Sequence, residues 1–104
     1  MDIENVLFYR KVGDKKFLPN TNTTEDIALI EKASVSESPN GLCFRNCKLT
    51  EYLNEYQSKG LDYYINTGKT MLMKMEGEKA VTVRIIRKWQ ESWMGYNIDV
   101  EILE

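Results

Sequence analysis

The side chains most able to do chemistry in this 104-residue chain are two cysteines, three close carboxylate pairs and one Gly-Lys-Thr turn. There is no histidine. That absence removes the usual general base near neutral pH, and with it Ser–His and Cys–His nucleophile pairs. It also removes the commonest partner ligand for zinc. Cys43 and Cys47 supply two thiols where a structural zinc site needs four ligands. A shared site across a dimer would be needed to complete the set. The pair reads as two ordinary, partly packed thiols, and a cytosolic setting disfavours a stable disulfide between them. No metal site and no cofactor is expected.

The carboxylate pairs are Glu51 with Glu55, Glu76 with Glu78, and Asp99 with Glu101. Two carboxyl groups can divide acid and base roles between them. Here the first pair falls on the wet face of an expected helix. The second flanks a turn glycine, and the third shares the wet face of an expected strand. Nothing suggests the burial that raises a carboxylate pKa. Asn66-Thr67-Gly68-Lys69-Thr70 ends like the phosphate loop GxxxxGK[ST]. That loop needs a first glycine so that backbone amides can wrap a phosphate. Tyr63 stands at that position, and a strand is expected after Thr70 where the loop needs a helix. A hairpin turn is the simpler reading. Asn22-Thr23-Thr24 is a glycosylation sequon only in a secreted chain.

The segment Arg84 to Tyr96 (RIIRKWQESWMGY) carries the strongest binding signal. Trp, Tyr, Arg and Met are enriched in protein interfaces. Arginine interleaved with aromatic rings also suits single-stranded nucleic acid. The competing account is that Trp89 and Trp93 fill the core of a small domain. The interface candidates are Arg84, Arg87, Lys88, Trp89, Trp93, Met94 and Tyr96.

The elements that must position these residues follow from periodicity and turn chemistry. Val6 to Val12, a Gly13-Asp14-Lys15 turn and Lys16 to Leu18 predict an N-terminal hairpin. Ile27, Ile30 and Ala33 predict a short helix over Glu25 to Ala33, and Ser34 to Gly41 reads as a loop. Leu49, Tyr52, Leu53 and Tyr56 predict a helix over Lys48 to Lys59, with Gly60 at its C-terminal cap. A strand meander follows. Asp62 to Ile65 and Lys69 to Met75 flank Asn66-Thr67-Gly68, and Glu76-Gly77-Glu78 makes the next turn. Ala80 to Trp89 is β-branched, and Ile98 to Ile102 alternates. Val81, Ile85, Trp89 and Trp93 are also four apart, so Val81 to Met94 has an alternative reading as an amphipathic helix. Val-Thr-Val and Ile-Ile favour the strand. The expected fold is α+β: a hairpin, one or two short helices, then an antiparallel meander, all in one domain over 1–104.

Composition sets the partner classes. Fourteen basic and 16 acidic residues give a net charge of −2. A duplex-DNA binder usually carries a basic excess, and a DNA mimic many more acids. The first residues, Met1-Asp2-Ile3-Glu4-Asn5, lack the bases and apolar run of a signal peptide. No segment approaches the ~20 apolar residues of a membrane span. A cytoplasmic location is expected. Lys outnumbers Arg and Asn, Ile and Tyr are frequent, which hints at an AT-rich bacterial or phage genome. The expectation is a non-enzymatic protein-binding module, of the inhibitor or adaptor type that phages and mobile elements encode. Its partner would be another protein, with a homodimer also open through exposed aromatics or sheet edges. A nucleic-acid-binding sheet is the alternative, and a small enzyme the third reading.

Overall fold

The computed structural model describes residues 1–10, 26–52, 60–93 and 95–103. It has six strands and one helix among those residues: β1 (Asp2–Tyr9), β2 (Asp26–Ser38), β3 (Gly41–Glu51), α1 (Gly60–Thr67), β4 (Met71–Met75), β5 (Val81–Ser92) and β6 (Gly95–Ile102). The strands close into a barrel in the order β1-β2-β3-β6-β5-β4, and every neighbouring pair is antiparallel. Two three-stranded meanders thus face each other, and the segment carrying α1 crosses between them.

The sequence builds the barrel wall through alternation. Val6 and Phe8 of β1 sit opposite Ile30 and Ala28 of β2, and opposite Met75 and Met73 of β4. Phe44 pairs with Ile98, and Ile85 with Val100. Of these, all but the half-buried Met75 are fully or almost fully buried and fill the barrel interior. Phe8 and Phe44 meet edge to face, with ring centroids 6.4 Å apart. Truncating either to alanine would cost about 3–5 kcal/mol.

The expected α+β fold is wrong, and β-bulges explain why. Glu25 to Ala33 is not a helix: Asp26 onward belongs to β2. Ile30 and Ala33 are both buried although three residues apart, because the register shifts between Ile30 and Ser34. Lys48 to Glu51 belong to β3, while residues 53–59 of that expected helix lie outside the described residues. Phe44 and Cys47 repeat the pattern across a second shift, where Asn46 takes φ 54°. A bulge inserts one residue and turns a spacing of two into three. That spacing is the signature of a helix face. Ser34 to Ser38 is also strand rather than loop, with only Pro39-Asn40 turning into β3.

The opposite error occurs after Gly60. Asp62 to Ile65, expected as a strand, is helix α1, and Asn66-Thr67-Gly68 is its last turn rather than a hairpin loop. Gly60, at φ 75°, opens this helix. Eight residues are too few for a helix to be stable alone. Packing and capping stabilise it. Leu61 and Tyr64 are buried in the barrel core, and the Leu61 amide donates to Glu51 Oε1 at 2.7 Å. The Gly68 amide closes the far end on the Tyr64 carbonyl at 3.0 Å.

The later strands match the expectation. Lys69 to Met75 contains β4, Glu76-Gly77-Glu78 is a turn, and Val81 to Ser92 is strand rather than helix. In the expected N-terminal hairpin, β1 ends at Tyr9, and its partners in the barrel are β2 and β4. Residues 11–25, with the expected turn, the second arm and the Asn22 sequon, lie outside the described residues.

Closure is tightest between β3 and β6. A Cβ on Gly41 would lie 2.0 Å from the Val100 carbonyl oxygen, a backbone atom that no rotamer change can move. Gly41→Ala is therefore expected to lower stability by about 2–3 kcal/mol. A urea midpoint equal to that of the native chain would show that the two strands do not meet this closely.

Candidate functional site

The segment singled out in the sequence forms the β5–β6 hairpin. Ser92 pairs with Gly95, and Trp93 lies in the turn between them. Trp93 stands at this tip with 90% of its surface exposed. Tyr96, the second residue of β6, is 37% exposed, and Trp89 is half-buried. The core account of the tryptophans therefore fails for Trp93 and holds only in part for Trp89. Met94 lies outside the described residues.

The loop is held against the barrel by a close approach. Gly95 has φ 134°, and a Cβ there would come within 2.7 Å of the Cys47 carbonyl oxygen. Only glycine fits both the conformation and the gap. Cys47 pairs with Tyr96 across β3 and β6, so the hairpin is anchored one residue beyond its turn.

The three cations of the segment are each matched to a carboxylate. Arg84 Nη1 lies 2.7 Å from Glu101 Oε1, and its Nε donates to the Gly68 carbonyl at 3.0 Å. Arg87 Nε lies 2.8 Å from Asp99 Oδ2, its cross-strand partner. The Arg87 guanidinium also stacks on Trp89, 3.9 Å from the ring centroid. Lys88 Nζ sits between Glu51 Oε2 at 3.1 Å and Asp62 Oδ1 at 3.3 Å, and 5.0 Å from the centre of the Tyr96 ring. Its side chain is only 11% exposed. Burial pulls the Lys88 ammonium down, but hydrogen bonds and attraction from the two carboxylates outweigh it, so its pKa is raised. Lys88 is a fastening between β5, β3 and α1 more than a surface charge.

The expected carboxylate pairs are not brought together for acid–base work. Asp99 is turned towards Arg87 and Glu101 towards Arg84. Glu51 caps α1 and holds Lys88, while Glu55 lies outside the described residues. Glu76 and Glu78 are both exposed. Burial pushes Asp99 up, but hydrogen bonds from Arg87 and from the Cys43 thiol, with the charges of Arg87 and Arg45, bring it below the ordinary value. Sequence reasoning missed Asp99 and Glu51 as partners of Arg87 and Lys88. The pairings depend on which residues face each other across strands, and no local spacing records that.

Cys43 and Cys47 are free and buried. Burial pushes the Cys43 thiol up, and its hydrogen bond to Asp99 adds to this. Neither thiol is poised as a nucleophile, which would need a lowered pKa. Among the described residues no three His, Cys, Asp or Glu side chains gather as a metal site. No helix there is long and apolar enough to cross a membrane.

Burial drives Cys47 highest, up to about 12, with the charge of Cys43 adding to it. In the unfolded chain a thiol ionises near about 8.5. Between those values the unfolded state binds fewer protons than the folded one, so stability falls as pH rises. Tyr9, Tyr52 and Tyr64, also raised by burial, act in the same direction. The urea midpoint is expected to drop from about pH 9 upward, and Cys47→Ala to flatten part of that slope. A Cys47→Ala slope identical to that of the native chain would mean that Cys47 ionises freely in the fold.

No family model, no curated protein and no solved structure matches this chain.

Proposed function

We propose that this protein is a non-enzymatic binding module, an inhibitor or adaptor acting in the cytoplasm, that docks another protein through the β5–β6 hairpin. The observation that carries the reading is Trp93, 90% exposed at the β5–β6 turn, next to the close approach of Gly95 to Cys47. A large apolar ring held in water gains free energy when a partner covers it, at about 25 cal/mol per Å². Holding the ring on a fixed loop lowers the ordering cost of binding. Tyr96 and the Arg87–Trp89 stack flank it with the residue types that dominate interface energetics.

The pairing of the cations favours protein over nucleic acid. Phosphate binding draws on unneutralised bases. Arg84, Arg87 and Lys88 are each committed to a carboxylate, and the chain carries a net charge of −2. A gel shift with single-stranded oligonucleotides at low salt is expected to show no complex. Self-association through a sheet edge is also disfavoured, because closure leaves no unpaired edge in the described barrel.

Trp93→Ala is the direct test. The side chain is exposed, so the unfolding free energy should change by no more than about 0.5 kcal/mol. Capture of the partner from cells that produce the protein, followed by titration with the purified partner, should show affinity reduced about tenfold or more. If Trp93→Ala and Arg87→Ala bind every captured partner as the native chain does, the interface lies elsewhere.

A further inference from the structure

Of the eight asparagines in the chain, only Asn40 precedes a glycine. It stands with Pro39 in the exposed turn that joins β2 to β3. Exposed turn tips are the segments most open to local movement. We propose that Asn40 is a modification site, at which the chain deamidates spontaneously and passes in part to isoaspartate.

The chemistry needs the chain and water alone. The Gly41 backbone nitrogen attacks Asn40 Cγ. The N–Cγ bond forms, the Cγ–Nδ2 bond breaks, and Nδ2 leaves as ammonia with the Gly41 amide proton. Water then opens the cyclic imide. Opening at Cγ gives aspartate, and opening at the Asn40 main-chain carbonyl gives isoaspartate. Nothing is oxidised or reduced. Gly41 has no Cβ to shield the attacking nitrogen. Every other asparagine precedes a residue with a side chain. Asn97 is withdrawn further: it is buried, and its Oδ1 accepts the Asn46 amide at 3.0 Å. Asn5 Nδ2 donates to Glu76 Oε2 at 3.4 Å.

The place of this turn in the barrel decides what the product does. The Asn40 carbonyl accepts the Ile102 amide at 3.0 Å. Gly41 follows at the point where β3 and β6 leave no room for a Cβ. Isoaspartate routes the main chain through Cβ and Cγ, which lengthens it by one carbon–carbon bond, about 1.5 Å. It also turns the carbonyl that holds Ile102 into a free carboxylate. Asn40 lines a cavity of about 220 Å³ together with Asp99 and Glu101. The new charge therefore arises beside two existing acids, and like charges repel. Aspartate adds the charge without the length. Isoaspartate adds both, at the seam that closes the barrel.

Ageing of the full chain at physiological temperature and mildly alkaline pH tests this. Trypsin then releases residues 33–45, a peptide in which Asn40 is the only amide side chain. Its mass should change from amide to acid, and electron-transfer fragmentation should find isoaspartate among the products. Conversion of Asn40 is expected to run about tenfold or more ahead of that of Asn5, Asn46, Asn66 and Asn97. Asn40→Gln should leave the mass of the peptide unchanged on ageing. The aged chain should unfold at a lower urea midpoint than both the fresh chain and Asn40→Asp. The proposal is overturned if the peptide keeps its mass, or if Asn40 converts no faster than the other asparagines. Aspartate as the sole product would also sink it, as would an aged chain that unfolds at the midpoint of Asn40→Asp.

Discussion

The pairing of β6 between β3 and β5 is the constraint on which the rest of the molecule depends. It joins two antiparallel meanders that would otherwise each present an open edge, and the β1–β4 pair completes the ring. Gly41 allows β3 to come against the Val100 carbonyl, and Gly95 allows the start of β6 to come against Cys47. Between those two contacts the register puts Phe44 opposite Ile98 in the interior. It also puts Asp99 opposite Arg87. Core and surface network are therefore set by one alignment.

The helix α1 packs against the barrel at β5 and β2 and adds Leu61 and Tyr64 to its core. The helix is too short to persist by propensity, so its capping matters more than its composition. Glu51 accepts the Leu61 amide with one oxygen and holds Lys88 with the other. Asp62 takes Lys88 from the helix side. A cation this buried is tolerable because two carboxylates face it. Three elements are thereby tied by one ammonium, and the segment that leads on to Lys69 and Thr70 is carried with them.

This arrangement separates two kinds of surface. On the hairpin, charges are satisfied internally and what remains available is aromatic area, which suits an apolar protein partner. At the β4–β5 turn, by contrast, Glu76 and Glu78 present exposed carboxylates. Asp99, although burial pushes it up, is held below the ordinary carboxylate range by Arg87 and the Cys43 thiol. The wall supplies rigidity, and the proposed binding falls to what projects from it.

Some of this was legible in the residues themselves. The lack of histidine, the half-complete cysteine pair and the near-neutral charge follow from composition. The strands over Ala80 to Trp89 and Ile98 to Ile102, and the turn at Gly77, follow from β-branching, alternation and a glycine. The candidate segment Arg84 to Tyr96 was marked by its residue types alone. What the sequence could not reveal was whether those residues face water. Trp93 is exposed because the hairpin turns there, and Arg87 is neutralised because register aligns it with Asp99. Asp62 to Ile65 is helical because Glu51 caps it and the barrel core takes Leu61 and Tyr64. Ile27, Ile30 and Ala33 look helical because a bulge sets Ile30 and Ala33 three apart on one face of a strand. Local spacing reports which residues share a face. Whether that face belongs to a helix or a bulged strand is decided by partners distant in sequence, and only the closed barrel supplies them.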